Sequence, residues 1–314
     1  MSKLITRASS INRALDEIGD KWCLLIIQEV FWGINSFNEM MTAMGVSKGV
    51  LSDRLKWLQS IDCLSKRADD KGGKRMQYHL TRKSIELYDS ALMAIVWERA
   101  YYNTPELDEV QLVHLTCGQT FAPEMRCRSC KEEIGMSEVI YNPGPGATRD
   151  EREKKVRRRS SISVQDVPSS RSLYKNLIHL VGDRWTANLI ALSFHGLTRF
   201  DQFHEELPVA TNILTDRLKF LVGESVFHKV AYQQRPLRHE YRLTEKGKAL
   251  YPWFLTLLQW GDKWCSPDNS GKPMQLTHSV CERSLHGQAS CSACGGVLKA
   301  HEVKFDMGAN NSTL

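Results

Sequence analysis

Apolar positions in SINRALDEIG (Ser10–Gly19) fall at Ile11, Ala14, Leu15 and Ile18, the spacing of one helix face. Gly19 then offers a left-handed stop, and Asp20 a cap for the next helix. That helix opens at Trp22 in WCLLIIQEVFW, which is apolar nearly all round and predicts a buried central helix. FNEMMTAM (Phe37–Met44) predicts a short helix, GVS a break, and KGVLSDRLKWLQS a second helix. On that second helix Leu51, Leu55 and Leu58 share one face, and Lys48, Ser52 and Lys56 the opposite one. LSKRAD and RMQYHLT alternate as strands do around the turn signal DDKGGK. A long helix is expected over Lys83–Tyr102, with Leu87, Leu92, Ile95 and Val96 on its apolar side. Two short helices joined by a tight turn and followed by a hairpin make a helix-turn-helix with a wing.

The same pattern returns 163 positions later. GDKW (Gly19–Trp22) falls on GDRW (Gly182–Trp185), and LSDRLKWL (Leu51–Leu58) on LTDRLKFL (Leu214–Leu221). Arg75 falls on Arg238, Tyr78 on Tyr241 and Trp97 on Trp260. The second copy reads RSLYKNLIHLVG, a central helix from Trp185, FDQFHEEL, the turn PVAT, NILTDRLKFL, a hairpin through Gln233–His239, and a helix from Glu245 to Trp264. Solenoid repeats run roughly 20–50 residues, so this period marks a duplicated domain. GDKW and GDRW read as a helix corner (stop, cap, apolar anchor), because no base, nucleophile or metal partner is written beside the Asp.

The expected fold is mainly α with small β-wings (α+β): tandem winged helix-turn-helix domains, each followed by a small zinc-ribbon-like subdomain. The expected boundaries are 1–105 for the first winged domain, 106–142 for the first zinc-binding subdomain and 143–170 for a charged linker. The second winged domain takes 171–268 and the second zinc-binding subdomain 269–307.

Cysteine adds chemistry to this picture. Six of nine Cys fall in a repeated H-x2-C-x9-C-x2-C pattern. It reads His114, Cys117, Cys127, Cys130 in one copy and His278, Cys281, Cys291, Cys294 in the other. Three thiolates and an imidazole complete a zinc tetrahedron and leave no open position, which describes a structural ion. The expectation is about two zinc ions per chain, one for each run of four ligands. His286 competes with His278 for the second set, and reduced, unliganded Cys is the plainer reading. Cys23 and Cys63 read as small core residues. The start MSKLITRASS lacks a signal-peptide apolar region, and no apolar run reaches the roughly 18–20 residues of a membrane span. A cytoplasmic protein with reduced thiols is therefore expected.

Net charge is +6, mildly favourable to an acidic partner. Double-stranded DNA is the partner a helix-turn-helix calls for. The entering turns of the two recognition helices offer Ser47, Lys48 and Ser52, and Thr211, Asn212 and Thr215. Arg54 and Arg217, beside the Leu face, are expected on phosphates. The wings offer Lys74 and Arg75, and Arg235 and Arg238. The linker is dense in charge and ends in Arg157–Arg159, either as a solvated tether or as a basic arm along DNA.

The run RALDEIGDKW … LLII … LSDRLKWL … Y.LT resembles the HxlR-type family of bacterial winged helix-turn-helix regulators. GDRW … F.QF … LTDRLKFL … RHEYRLTEKGKAL resembles it equally. The resemblance covers about two-thirds of the chain. It implies a sequence-specific, promoter-binding regulator in the bacterial nucleoid, dimerising through its first and last helices. A homodimer and a small-molecule effector are partners it admits. Some members sense oxidants through a Cys just before the first helix; the matching positions here are Ser9-Ser10 and Ser172-Leu173. No Gly-rich phosphate loop, nucleophile elbow or open metal triad is written, so no enzyme is expected. The alternative is a ligand- or protein-binding adaptor whose heads have lost DNA; Val230 in place of Arg67 is the feature that favours it.

Overall fold

The computed structural model describes residues 3–68, 76–102, 107, 109–153, 173–266 and 271–306, with backbone alone at 3–6 and 151–153. The first repeat runs β1 (Lys3–Arg7), α1 (Ser10–Ile18), α2 (Lys21–Phe31), α3 (Phe37–Met44), α4 (Lys48–Ser60), β2 (Leu64–Ala68), β3 (Met76–Leu80), α5 (Arg82–Ile85) and α6 (Tyr88–Tyr101). Then come β4 (Gln111–His114), β5 (Gln119–Thr120), β6 (Pro123–Cys127), β7 (Val139–Pro143) and β8 (Arg149–Glu153). The second repeat runs α7 (Lys175–Val181), α8 (Arg184–Phe194), α9 (Phe200–Glu206), α10 (Thr211–Gly223), β9 (Phe227–Gln234), β10 (Leu237–Leu243), α11 (Glu245–Lys248) and α12 (Tyr251–Trp264). It closes with β11 (Met274–His278), β12 (Arg283–Ser284), β13 (Gly287–Cys291) and β14 (Val303–Asp306). No helix among the described residues is long and apolar enough to cross a membrane.

The helix expected over Lys83–Tyr102 breaks into α5 and α6. Lys83 is buried, and its ammonium donates to Glu17 at 2.5 Å and to the Ile61 carbonyl at 3.0 Å, which pins the short first turn. The copy breaks at the same place, where Pro252 opens α12 because it has no N–H to continue α11.

The chain divides into two compact units, and neither is a consecutive block. Unit one comprises Met1–Leu15, Met125–Ser160 and Asp183–Gln288; unit two comprises Asp16–Glu124, Ser161–Gly182 and Ala289–Leu314. This grouping runs across the five consecutive segments expected from the sequence. The cause is that each repeat's first helix buries its apolar face in the unit built on the other repeat's head. In unit two, α7 packs on α2 and α6, and Leu177, Ile178, Leu180 and Val181 are all buried there. In unit one, Ile11 of α1 lies beside Phe254, Leu255 and Leu258 of α12. Gly261 lets α1 approach α12 closely, since a Cβ there would collide with the Ser10 carbonyl.

Each first helix is also held by a carboxylate from the last long helix it packs on. Glu98 accepts from the backbone N–H of Asn176 (3.1 Å) and Leu177 (3.0 Å) at the start of α7. The Ser10 hydroxyl at the start of α1 donates to Asp262 at 2.6 Å.

The strands follow the same exchange. In unit two β14 pairs antiparallel with β4, placing Val303 opposite His114. In unit one β7 pairs antiparallel with β11, placing Val139 opposite His278. Unit one also holds β1 against β8, where Arg13 grips Asp150 through two bonds of 2.9 and 2.7 Å. The start of the stretch expected as a linker is therefore a strand; Arg157–Arg159 lie outside the described residues.

Candidate nucleic-acid interface and candidate metal centres

Asp20 caps α2 by accepting from the N–H of Trp22 (3.1 Å) and Cys23 (3.4 Å). The same carboxylate takes both prongs of Arg54 from α4, at 2.8 and 3.0 Å. In the other head Asp183 accepts from the N–H of Trp185 (2.8 Å) and Thr186 (3.4 Å), and Arg217 of α10 reaches it at 2.9 and 2.6 Å. The helix corner is thus also the seat of the recognition helix. Arg54 and Arg217, the residues expected on phosphates, are each paired with a carboxylate of their own head. The Arg54 guanidinium gives two of its five N–H donors to the Asp20 carboxylate, with 13% of its side chain exposed. The anchor is unequal between heads. Trp22 is buried, while Trp185 is half-buried under the Arg184 guanidinium, 4.3 Å from the ring centre.

Burying Leu51, Leu55 and Leu58 on one side of α4 turns Ser47, Lys48 and Asp53 outward, with Ser52 half-exposed beside them. Burying Leu214, Leu218 and Leu221 does the same in α10 for Thr211, Asn212 and Asp216, with Thr215 half-exposed. Two of these residues also serve the helix. Ser47 is the cap of α4, accepting from Val50 N–H at 3.4 Å, and the Thr215 hydroxyl donates to the Thr211 carbonyl at 2.8 Å. Asn212 and Lys48 are exposed at the first turns.

The wings are the hairpins β2–β3 and β9–β10. Lys66 lies over Tyr78 at 5.4 Å, and its counterpart Lys229 over Tyr241 at 5.8 Å. Arg235 and Arg238 are exposed at the second tip; Lys74 and Arg75 fall outside the described residues.

The eight candidate ligands gather in two groups of four, but not by repeat. His114 and Cys117 meet Cys291 and Cys294 within unit two, and Cys127 and Cys130 meet His278 and Cys281 within unit one. The expectation that each H-x2-C-x9-C-x2-C run closes on itself is corrected, for the reason already seen in the strands. β14 against β4 and β7 against β11 bring one repeat's C-x2-C to the other repeat's H-x2-C.

In each group the ligand atoms lie within 4.8 Å of one another, and either group could hold a metal ion. His114 Nδ1 stands 3.5 Å from Cys117 Sγ and 3.3 Å from Cys294 Sγ; His278 Nδ1 stands 3.5 Å from Cys281 Sγ and 3.3 Å from Cys130 Sγ. Those spacings suit the edges of a tetrahedron with bonds of about 2.0–2.3 Å. Both imidazoles are buried and aim Nδ1 into the group. The Cys127 Sγ is desolvated, but the amides of Ser129 and Cys130 donate to it and carry its pKa below the usual thiol value. The turns after each ligand pair bend through left-handed residues: Gly118, Lys131, Glu282 and Gly295. His286 stays exposed and takes no part.

The HxlR-like helix-turn-helix family matches this chain twice, over residues 17–106 and 180–269. The chain belongs to that family. This HxlR-like chain is 37% identical over 131 residues to "Uncharacterized HTH-type transcriptional regulator Rv3095" of Mycobacterium tuberculosis, covering 42% of the chain and 82% of that relative. It is 32% identical over 92 residues to "HTH-type transcriptional regulator YodB" of Bacillus subtilis, covering 29% of the chain and 82% of YodB. The solved reduced form of YodB covers 31% of this chain and 95% of its own at 30% identity, with a TM-score of 0.28. The family and these relatives are transcriptional regulators.

Among the remaining thiols of this HxlR-like protein, Cys23 and Cys63 are fully buried. Burial pushes the Cys63 thiol up to about 12. Both are core residues, and a neutral thiol so placed makes a poor nucleophile. The residues sequence reading missed are Glu98, Asp262 and Asp150. Each is a carboxylate whose partner lies far away in the chain.

Proposed function

We propose that this HxlR-like protein is a sequence-specific transcriptional regulator that binds promoter DNA through two winged heads carried on one chain. The observation that supports this reading best is the pair of recognition helices. Each is clamped to its helix corner by an Arg–Asp pair, and each keeps its polar first turn exposed beside a hairpin. Such a turn is where side chains reach base edges in the major groove. Lys48 and Asn212 differ in chemistry, so the two heads read different half-sites. Ser47, Ser52, Thr211 and Thr215 border them, and Arg235, Arg238, Lys74 and Arg75 supply phosphate contacts from the wings. One chain does the work of a dimer, because each unit takes its first helix from the repeat that supplies the other head.

The two four-ligand groups hold structural zinc, about two ions per chain. Thiolates and imidazole suit that ion, and four protein ligands leave it no catalytic position. Zinc bound there would supply folding energy to small ribbons with little core of their own.

Selection of bound fragments from random and genomic DNA tests the reading. Recovery of a bipartite motif supports it. Equal binding of all sequences, or none, rejects it in favour of an adaptor role.

A further inference from the structure

We propose that each metal ion is a clasp between the two repeats, with ligand sets His114–Cys117–Cys291–Cys294 and Cys127–Cys130–His278–Cys281. This rests on the metal reading above and goes beyond it, because it assigns the ligands and gives the ions a task. Neither repeat then owns a complete metal site. The first repeat contributes an H-x2-C half to one ion and a C-x2-C half to the other, and the second repeat completes both.

Three independent features carry the assignment. The first is distance. His114 approaches Cys294 across 180 positions of chain, and His278 approaches Cys130 across 148, each as closely as tetrahedral ligation requires. The second is register. Val303 opposite His114 and Val139 opposite His278 are the same pairing made twice, so the strand exchange that carries the ligands is built identically in both units. The third is that the helices exchange as well. Glu98 holds the start of α7, and Asp262 holds the start of α1. The ions thus fasten at the ribbons what the first helices fasten at the heads. Closing so long a stretch of chain removes much freedom from the unfolded protein, and the effect grows with loop length.

Metal counting on the full chain tests the pairing. The parent protein, loaded with zinc, gives the baseline of about two ions. The double variant Cys117→Ser/Cys291→Ser strikes one ion twice, so one ion per chain remains. The double variant Cys117→Ser/Cys127→Ser strikes both ions, so none remains. Pairing within each repeat predicts the reverse, and that reverse pattern overturns the proposal.

A second measurement serves if a double variant fails to fold. In zinc-loaded full-length Cys291→Ser, iodoacetamide labels Cys117 and Cys294 while Cys127, Cys130 and Cys281 stay protected. Labelled Cys281 with protected Cys117 overturns the pairing. A metal-free parent overturns the metal reading and the pairing with it. A loaded parent whose variants lose ions in the repeat-local pattern overturns the pairing alone.

Discussion

Asp20 is a cap for α2 and a seat for Arg54 at once, and Asp183 repeats both jobs with Arg217. A cap is worth about 1 kcal/mol, and hydrogen bonds to a charged group about 1.5–3. Arg54→Ala is therefore expected to cost about 1–3 kcal/mol in urea unfolding and to leave the salt dependence of DNA binding unchanged. A salt slope lower by about one would return Arg54 to a phosphate. Asp89 gives a pH signature. Burial, opposed by the Ala289 N–H at 3.4 Å, raises its carboxyl to about 6 from 3.8. Below pH about 4 the group is neutral in folded and unfolded chains alike. Between about pH 4 and 6 the unfolded chain releases the proton that the fold retains, and stability falls by on the order of 3 kcal/mol, the loss being complete above that window. Asp89→Asn should match the parent below pH about 4 and melt higher than it at pH 7.5. Identical melting at both pH values would refute the assignment. The Arg–Asp seat left a trace in the sequence, because GD and DRLK recur together in both repeats. Asp89 left none, since Pro252 stands at its counterpart.

The recognition helices and wings predict different kinds of loss. Asn212→Ala on the first turn of α10 should cost about 1–3 kcal/mol on the preferred site and relax choice at one base pair. Arg238→Ala on β10 should weaken all sequences evenly and lower the salt slope by about one. Titrations of specific and scrambled DNA at several salt concentrations separate the two, and exchanged phenotypes would displace the second head from its proposed position. Glu98 belongs to this scale too, as the link from α6 to α7. Glu98→Ala leaves the Asn176 and Leu177 amides without their acceptor and should cost about 2–3 kcal/mol by thermal or urea unfolding. Helices, wings and the two spaced His/Cys runs were readable because periodicity and short spacings are local signals. The strand β1 and its partner β8 were not, since nothing in KLITR or RDERE names its mate. The grouping of these His and Cys residues was not readable either. Both repeats carry the same spacing, so a closed run and an exchanged run look identical in sequence.

At the scale of the molecule, the exchange of first helices and ribbon strands makes the repeats inseparable. A chain carrying an inserted protease site after Arg159 should, once cut, still elute near its intact mass of 35.9 kDa. Elution of two half-sized pieces would show that the exchange is not what holds the repeats together. A zinc chelator plus mild denaturant should then part the pieces, whereas denaturant alone at the same strength should not. The exchange has one more consequence, for biosynthesis. A ribosome delivers the first repeat well before the second, and Cys294 leaves it long after Cys117. At about 5–20 residues per second that interval is on the order of 10–35 s. Through the first third of it the emerging chain still lacks α7, and until its end the group of Cys291 and Cys294 with His114 and Cys117 stays incomplete. The two units are therefore completed in order, the head of unit two first and the His/Cys groups only when translation is nearly done.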